Sequence, residues 1–381
     1  MKNYIPFLFA LFFFNLSWSR PPQLSKKATI SILTCGPGSE LYAKFGHSAL
    51  RVNDPVNGID IVYNYGVFDF NQPNFYLNFA KGRLNYMLVR HRSNDFINQY
   101  RQEDRSVTEQ ILQLNTADQN KILRFLEHNA KPENRTYSYH FFFNNCATKI
   151  IDVLSNANSS IVFEKEFIDN NQSFRRLIDT NLHENSWGSL GIHIALGSKI
   201  DRIASDYEHR FLPEYIALQL IHSSIDGSPL VQQTNLLVEE SKSKQPTVDL
   251  SSPLAVFSLI LIITILILIR SKNIRFWKWS LIAISSLIGI GILYLWVMTN
   301  HDMTQNNFNI LWANPLALLL FASKKLKSQV VHYLYIILIL GLVLIPLVAL
   351  IGIQSFNISL YPLIMTLLII YINSYKKIKS V

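Results

Sequence analysis

The sequence predicts an α+β domain outside the membrane, followed by an all-α membrane domain of about five helices. The first observation is a sharp change of composition in the 240s, where a mixed sequence gives way to long apolar stretches. The second is charge. After Leu250 there are ten Lys or Arg and one acid, Asp302, and this excess of nine equals the formal net charge of the 381-residue chain. The part before Leu250 is therefore neutral overall, and the basic pI does not indicate a nucleic-acid partner.

Residues 1–20 are predicted to be a signal peptide. Lys2 precedes the apolar run Tyr4–Phe14, and small and polar residues follow at 17–19, which is the order of regions in a secretory signal. A retained signal anchor is the alternative, and no small-x-small motif identifies one cleavage site. In both cases the residues that follow are predicted to lie outside the cytoplasm.

The extracytoplasmic domain, predicted for residues 21–240, begins with three strand-like runs. These runs are Ala28–Leu33, His47–Val52 and Ile59–Tyr65. Turn-forming residues at 53–58 join the second run to the third, so we expect these two to pair as an antiparallel hairpin. Folding about a centre near Val56 places His47 opposite Asn64 or Tyr65.

Short helices and strands alternate further along this domain. Gly82 ends a short helical stretch, and the run at 139–154, YHFFFNNCATKIIDVL, changes from a strand pattern to a helical one. Asn144 is the predicted N-cap of that helix, which leaves Cys146 in its first turn. From about Ser173 to Leu237 the pattern predicts a helical extension, and a polar linker at 241–252 leads into the membrane domain.

Five apolar stretches, most of them near the length that crosses a bilayer, define the membrane domain. They are Pro253–Ile269, Leu281–Val297, Ile310–Ala322, Tyr333–Ile353 and Ile358–Ile372. The third is short and interrupted at Asn314–Pro315, so a re-entrant segment with four true spans is the alternative. Basic loops alternate with loops that carry no Lys or Arg, which predicts a multi-pass protein of the inner (cytoplasmic) membrane whose region before Leu250 lies outside and whose C-terminus is cytoplasmic.

The predicted outward loop Thr299–Asn309 is unusually polar, and Trp312 follows it as a candidate for the membrane interface. Contact with solvent is one interpretation of this polarity. The other is a polar lip that holds a lipid headgroup against the external domain.

Cys146 and His47 are the candidate catalytic residues. A helix N-terminus stabilises a thiolate, and an imidazole that takes the thiol proton completes an activated nucleophile. His140 is a competing base. A buried structural cysteine, or a disulfide between Cys35 and Cys146 in an oxidising compartment, is the alternative that the residues alone leave open.

Four stretches resemble a known family: TCGPGSELYAKFGHSALRV, VYNYGVFDF, FAKGRLNYML and FFFNNCATKI. They are similar to the Lnb-type N-terminal periplasmic domain, a group of membrane-tethered bacterial proteins related to permuted papain-like thiol enzymes such as the NlpC and lecithin–retinol acyltransferase groups. The resemblance covers roughly Ala28–Leu250. In that arrangement the histidine strand precedes the cysteine helix, and His47 and Cys146 match both positions and their order.

The resemblance implies acyl transfer from a lipoprotein or phospholipid ester at the outer face of the cytoplasmic membrane, with Cys146 as nucleophile and His47 as base. It also implies a polar residue that orients the imidazole, for which Asn64 is the candidate and Asp69 the alternative. The backbone N–H of Cys146, helped by the Asn145 side chain, is the expected oxyanion donor. No cofactor is expected, and no metal-ligand spacing such as HExxH or CxxC occurs.

Two other functions remain open at this point: a cell-wall peptide hydrolase that uses the same dyad, and a non-enzymatic membrane assembly protein. A hydrolase needs only a tether, whereas five spans suit a protein whose substrate is itself held in the bilayer. We therefore expect a membrane lipid or lipoprotein as the partner, and rank acyl transfer first.

Overall fold

The computed structural model describes residues 23–69, 73–83, 85–168, 172–241, 249–270 and 273–379. The predicted signal peptide lies outside these residues, and so does most of the predicted linker.

The described N-terminal part, up to residue 241, contains ten strands and eight helices. The strands are β1 (Thr29–Cys35), β2 (His47–Asp54), β3 (Ile59–Val67), β4 (Asn85–Arg92), β5 (Val107–Leu112), β6 (Thr136–Ser138), β7 (Ile161–Val162), β8 (Ser224–Ile225), β9 (Ser228–Pro229) and β10 (Val231–Val238). The helices are α1 (Phe75–Ala80), α2 (Ser93–Gln102), α3 (Thr116–Asn129), α4 (Cys146–Ala157), α5 (Phe174–Thr180), α6 (Trp187–Ala195), α7 (Asp206–His209) and α8 (Pro213–His222). Short 3₁₀ turns occur at Leu41–Ala43 and Ser198–Asp201.

Seven of these strands form one sheet in the order β10-β5-β1-β2-β3-β4-β6, and every neighbouring pair is antiparallel. Because side chains alternate between the two faces of a strand, each face has its own apolar layer. Ile32 and Leu50 pack with α3 and α4, whereas Leu33 and Ala49 pack with Phe96 of α2. The mixed α/β class with an antiparallel sheet is therefore confirmed.

The predicted hairpin is also confirmed. β2 and β3 pair from Leu50 opposite Tyr63 to Asp54 opposite Ile59. Asp54 begins the turn, and its carboxylate accepts hydrogen bonds from the Val56 N–H at 3.1 Å and the Asn57 amide at 2.7 Å. This turn brings the start of β2 beside the end of β3, which is where the candidate site lies.

The helical extension predicted to Leu237 is wrong at its C-terminal end. Helices stop at His222, and after a turn at Gly227 the chain returns as β10, which pairs with β5 at the edge of the large sheet. The segment VQQTNLLV combines polar residues with an apolar end, and its pairing with β5 decides its conformation more strongly than its weak helical pattern does.

The C-terminal part is helical, with four long helices among its described residues. They are α9 (Pro253–Arg270), α10 (Arg275–Met298), α11 (Ser328–Leu350) and α12 (Leu360–Lys379). By length and apolarity α9, α10 and α11 can cross a membrane, and α12 packs alongside α9.

The third predicted span is not an α-helix. It forms 3₁₀ helices at Phe308–Leu311 and Pro315–Lys325, separated at Asn314, because Pro315 lacks an N–H and restricts the residue before it. At about 2 Å per residue, the longer one extends about 22 Å, less than the roughly 30 Å of a hydrocarbon core. The number of crossings stays a prediction.

The polar loop predicted to face solvent or lipid instead packs on the α/β domain. Asn307 and Asn309 are buried, and their side-chain amides donate to the α6 carbonyls of Ile194 and His193, each at 2.8 Å. Trp312, expected at the membrane interface, is 1% exposed and donates to Asn309 Oδ1 at 2.9 Å. The loop is therefore one of the contacts through which the helical part holds the α/β domain, and the segment 354–357 adds others.

Two glycines of α10 differ in how closely they approach the segment 308–325, whose two 3₁₀ helices are separated at Asn314. A Cβ on Gly289 would lie 1.7 Å from the carbonyl oxygen of Ala313, whereas one on Gly291 would meet nothing within 4 Å. Because backbone cannot move aside as a side chain can, Gly289→Ala is expected to cost about 1–3 kcal/mol. Thermal denaturation of the full chain in detergent measures this, and Gly291→Ala is the matched control. Equal melting temperatures for the two variants would contradict the packing described.

Candidate active site

Helix α4 begins with a polar cap that fixes the position of Cys146. Asn145 is the N-cap, and its Oδ1 accepts hydrogen bonds from the N–H groups of Ala147 and Thr148, both at 3.0 Å. The Thr148 hydroxyl accepts from the Asn145 N–H at 2.9 Å and completes a capping box. The prediction of Asn144 as the cap is wrong by one residue. Cys146 is thus the first residue of the helix, where the N–H groups have no helical acceptor.

Asn145 is also ruled out as the expected oxyanion helper. Its Nδ2 donates to the carbonyl of Phe141 at 2.8 Å and to that of Phe211 at 2.6 Å, and the residue is 3% exposed. Both amide hydrogens are therefore used to hold the backbone around Cys146. Asn145 therefore positions Cys146 and has no hydrogen left to donate elsewhere.

His47, the first residue of β2, lies between Asn64 and Cys146. Its Nε2 is 2.6 Å from Asn64 Oδ1, and because an amide oxygen only accepts, Nε2 carries the hydrogen. The ring is also hydrogen-bonded to the Cys146 side chain, which leaves Nδ1 for the sulfur. The structure thus brings together the three residues predicted from sequence.

The two reactive groups shift each other's pKa in opposite directions. Burial by itself raises the pKa of the Cys146 thiol, but the charge and hydrogen bond of His47, and the N–H groups of Ser48 and Ala147, lower it below the ordinary 9.0. Burial likewise lowers the pKa of His47, but the charge and hydrogen bond of Cys146 raise it above the ordinary 6.5. Each charge therefore stabilises the other, and the two shifts favour a thiolate–imidazolium pair.

Gly66 gives the site its close packing. The β3–β4 pairing is irregular between Asn64 and Val67, and Gly66 there has φ +90°. A Cβ on Gly66 would lie 3.4 Å from the Cβ of Cys146 and 3.9 Å from Cε1 of His47. These are ordinary contact distances, so it is the positive φ at this irregularity that favours glycine, in a turn of the strand that follows Asn64 and adjoins Cys146 and His47.

Tyr137 is a site residue that sequence reasoning missed. A Cβ on Gly66 would lie 3.9 Å from its phenol oxygen, which is buried. The Gly66 N–H points at that oxygen, but the hydroxyl hydrogen itself has no acceptor among the described residues. Burial, and then the charge of Cys146, hold the pKa of Tyr137 well above its ordinary 10.0, so it stays a neutral donor. The one signal was its place on the short strand β6 before the cysteine helix.

His140, the competing base, is bonded elsewhere. Nε2 of His140 lies 3.0 Å from Asp302 Oδ1, and its Nδ1 accepts from the N–H groups of Phe142 and Phe143, each at 3.2 Å. Asp69 lies in the exposed segment after β3, whereas the His47 ring is bonded to Asn64.

Cys35 and Cys146 are both free thiols in the structure, so the disulfide left open by the sequence is not formed. Cys35 is 1% exposed in the layer under α2, and burial raises its pKa to about 12. Only Cys146 therefore combines an activating environment with partial exposure. In the described part of the chain, no group of three or more His, Cys, Asp or Glu could hold a metal ion.

Fold and site together define a membrane protein whose α/β domain, held against apolar helices, carries a cysteine, a histidine and an asparagine in one cluster. Comparison with protein families finds the Lnb N-terminal periplasmic domain at residues 18–180 and the Lnb transmembrane domain at residues 240–380. The chain therefore belongs to the Lnb family, with its periplasmic domain preceding its membrane domain. No curated protein and no solved structure matches the chain.

The pKa shifts predict the pH dependence of thiol alkylation. Because the pKa of Cys146 is lowered, its thiolate forms as pH rises through a value below 9.0, and iodoacetamide is expected to react with an inflection there. In His47→Ala the lowering charge is gone while burial remains, so the inflection is expected to move upward. Peptide mass spectrometry of alkylated Cys146 across pH measures both, with Cys35→Ala as control. An inflection unchanged by His47→Ala would contradict the pairing.

Proposed function

We propose that this protein is a membrane-bound thiol acyltransferase that acts on a lipoprotein or phospholipid ester at the outer face of the cytoplasmic membrane. The observation that carries the proposal is the Cys146–His47–Asn64 arrangement, with its opposed pKa shifts, on a domain held against membrane helices. The histidine strand precedes the cysteine helix, and this order supports a permuted papain-like arrangement.

In the first half-reaction the Cys146 thiolate attacks the ester carbonyl of the lipid. Collapse of the tetrahedral intermediate breaks the carbon–oxygen bond, and the imidazolium of His47 gives its Nδ1 proton to the departing alkoxide. The products are an acyl thioester on Cys146 and a free alcohol. Asn64 holds Nε2–H throughout, so the ring presents the same nitrogen at each step.

In the second half-reaction an amine attacks the thioester carbonyl. His47, now neutral, takes a proton from the amine nitrogen as the new carbon–nitrogen bond forms. Collapse expels the thiolate, which restores the thiolate–imidazolium pair and releases an amide. Water in place of the amine would make the same site a hydrolase.

The oxyanion needs two donors, and two groups close to Cys146 are the candidates. The N–H of Cys146 belongs to the first turn of α4, where no helical carbonyl can accept it. The Tyr137 hydroxyl, buried and without an acceptor for its hydrogen in the described structure, is the second. A buried donor that lacks an acceptor costs free energy in the resting protein. A developing oxyanion would accept a hydrogen bond from it.

A bilayer-held substrate is supported by exposed apolar side chains of the α/β domain. Leu41, Tyr42 and Phe79 are 45%, 72% and 50% exposed, and the first two lie on the 3₁₀ turn a few residues before His47. Phe79 lies at the membrane side, where its carbonyl accepts from His301 at 2.9 Å. Apolar side chains in this position suit an acyl chain better than a cell-wall peptide, so we rank transfer above hydrolysis.

Removal of the nucleophile tests the activity directly. Cys146→Ala is expected to abolish the transfer, leaving lipoprotein N-termini unacylated by this protein, because no other thiol in the described structure has a lowered pKa. Mass spectrometry of lipoprotein N-terminal peptides from cells that depend on this gene measures the change. Cys35→Ala is the matched control and is expected to retain activity. N-termini that are acylated identically in the Cys146 variant would refute the proposal.

Removal of the Tyr137 hydroxyl tests the oxyanion role. Tyr137→Phe is expected to lower kcat by about 10²–10³ with KM little changed, because the lost hydrogen bond forms only in the transition state. Tyr63→Phe is the control, since that buried hydroxyl bonds Glu127 instead. Steady-state kinetics with a fluorescent acyl donor separates kcat from KM. A loss confined to KM would assign Tyr137 to substrate binding.

A further inference from the structure

A cavity of about 290 Å³ lies at the end of the helical part furthest from the α/β domain. It is bounded by the start of α10, the end of the 3₁₀ helix Pro315–Lys325, the start of α11 and the end of α12. α10 has 24 residues and is therefore about 36 Å long, and its other end leads into the loop that contacts the α/β domain. The cavity and the candidate active site thus lie on opposite sides of a membrane crossed by α10.

Positive charge converges on this cavity. Arg275, Lys278 and Lys377 line it, and none of its lining residues is acidic. The single acid after Leu250, Asp302, lies beyond the opposite end of α10. Three positive charges around one cavity repel one another. An anion bound among them would offset that repulsion, so the cavity favours anion binding.

The walls also offer hydrogen bonds. The Lys278 ammonium lies 3.4 Å from the Ser374 hydroxyl and 4.3 Å from the centre of the Trp279 ring, which holds it at the cavity wall. The first turn of α10 is here as well. Asn273 Oδ1 accepts the Arg275 N–H at 3.1 Å, and the N-cap Ile274 provides no side-chain bond. The positive end of the helix dipole therefore adds to the side-chain charges.

The residues in and around the cavity are of types found at the depth of lipid headgroups. Trp279 and Tyr335, residue types enriched at membrane interfaces, line the cavity. Phe276, in the first turn of α10, is 85% exposed, so an apolar surface adjoins the basic one. A phosphate that carries acyl chains satisfies both surfaces, whereas free phosphate satisfies only the basic one.

We propose that this cavity, lined by Arg275, Lys278 and Lys377, binds the phosphate of an anionic membrane lipid from the leaflet opposite the α/β domain. Basic cavities between helices on the cytoplasmic side are suited to such headgroups, and each nearby cation contributes about 1 kcal/mol. This site is independent of the proposed acyl transfer, whose lipid is taken from the other leaflet.

The test uses the full chain in nonionic detergent, with lipid binding read by native mass spectrometry and by thermal shift. Phosphatidylglycerol is expected to bind and to raise the melting temperature, and phosphatidylcholine to do neither. The double variant Arg275→Gln with Lys278→Gln is expected to bind phosphatidylglycerol about 10-fold more weakly. The double variant Lys324→Gln with Lys325→Gln removes the same charge from residues outside the cavity and is expected to bind normally.

The proposal is overturned by undiminished binding in the Arg275 and Lys278 double variant, by equal binding of phosphatidylcholine, by equal weakening in the control pair, or by equal stabilisation with inorganic phosphate alone. The last would assign the cavity to a soluble anion. Lys278→Met, which keeps the side-chain length, replaces the double variant if that protein does not fold, and normal binding by it would also count against the site. Lys278→Arg keeps the charge and is expected to retain binding.

Discussion

The whole site depends on the side chain of Asn145, whose amide makes four hydrogen bonds. Its oxygen starts helix α4, and its nitrogen holds the carbonyls of Phe141, before the helix, and Phe211, between α7 and α8. Loss of a helix cap costs about 1 kcal/mol, whereas each buried carbonyl left without a donor costs about 1–3 kcal/mol. The position of Cys146 is thus fixed by tertiary contacts more firmly than by its own helix.

The same turn is tied to the membrane domain. Nδ1 of His140 accepts two backbone N–H groups, so the hydrogen of the neutral ring lies on Nε2, which donates to Asp302. The residues before the nucleophile therefore have one anchor inside the α/β domain and one in the loop after α10. The His140–Asp302 hydrogen bond thus links the turn that leads into α4 to the loop after α10.

Sequence patterns predicted the parts of the fold that local chemistry decides. Turn formers around Val56 placed His47 near Asn64, and a helical pattern placed Cys146 at a helix start. They placed the cap at Asn144 and not at Asn145, because both residues have cap chemistry and the difference rests on the distant Phe211 carbonyl. Tyr137 was missed because its place beside the sulfur depends on the irregular pairing at Gly66.

The polar loop and the broken third stretch show why composition alone misjudges a membrane contact. Polar residues look the same in a sequence whether they face solvent or an interface. Here the Asn314 carbonyl accepts from the Ser286 hydroxyl at 3.3 Å, and its side chain accepts the Leu316 N–H at 3.0 Å. Backbone that is not α-helical can lie at membrane depth where other protein groups make hydrogen bonds to its N–H and C=O groups, as they do here. The segment then runs close enough to α10 and α11 for Trp312 to hold Asn309, which in turn holds α6 of the α/β domain.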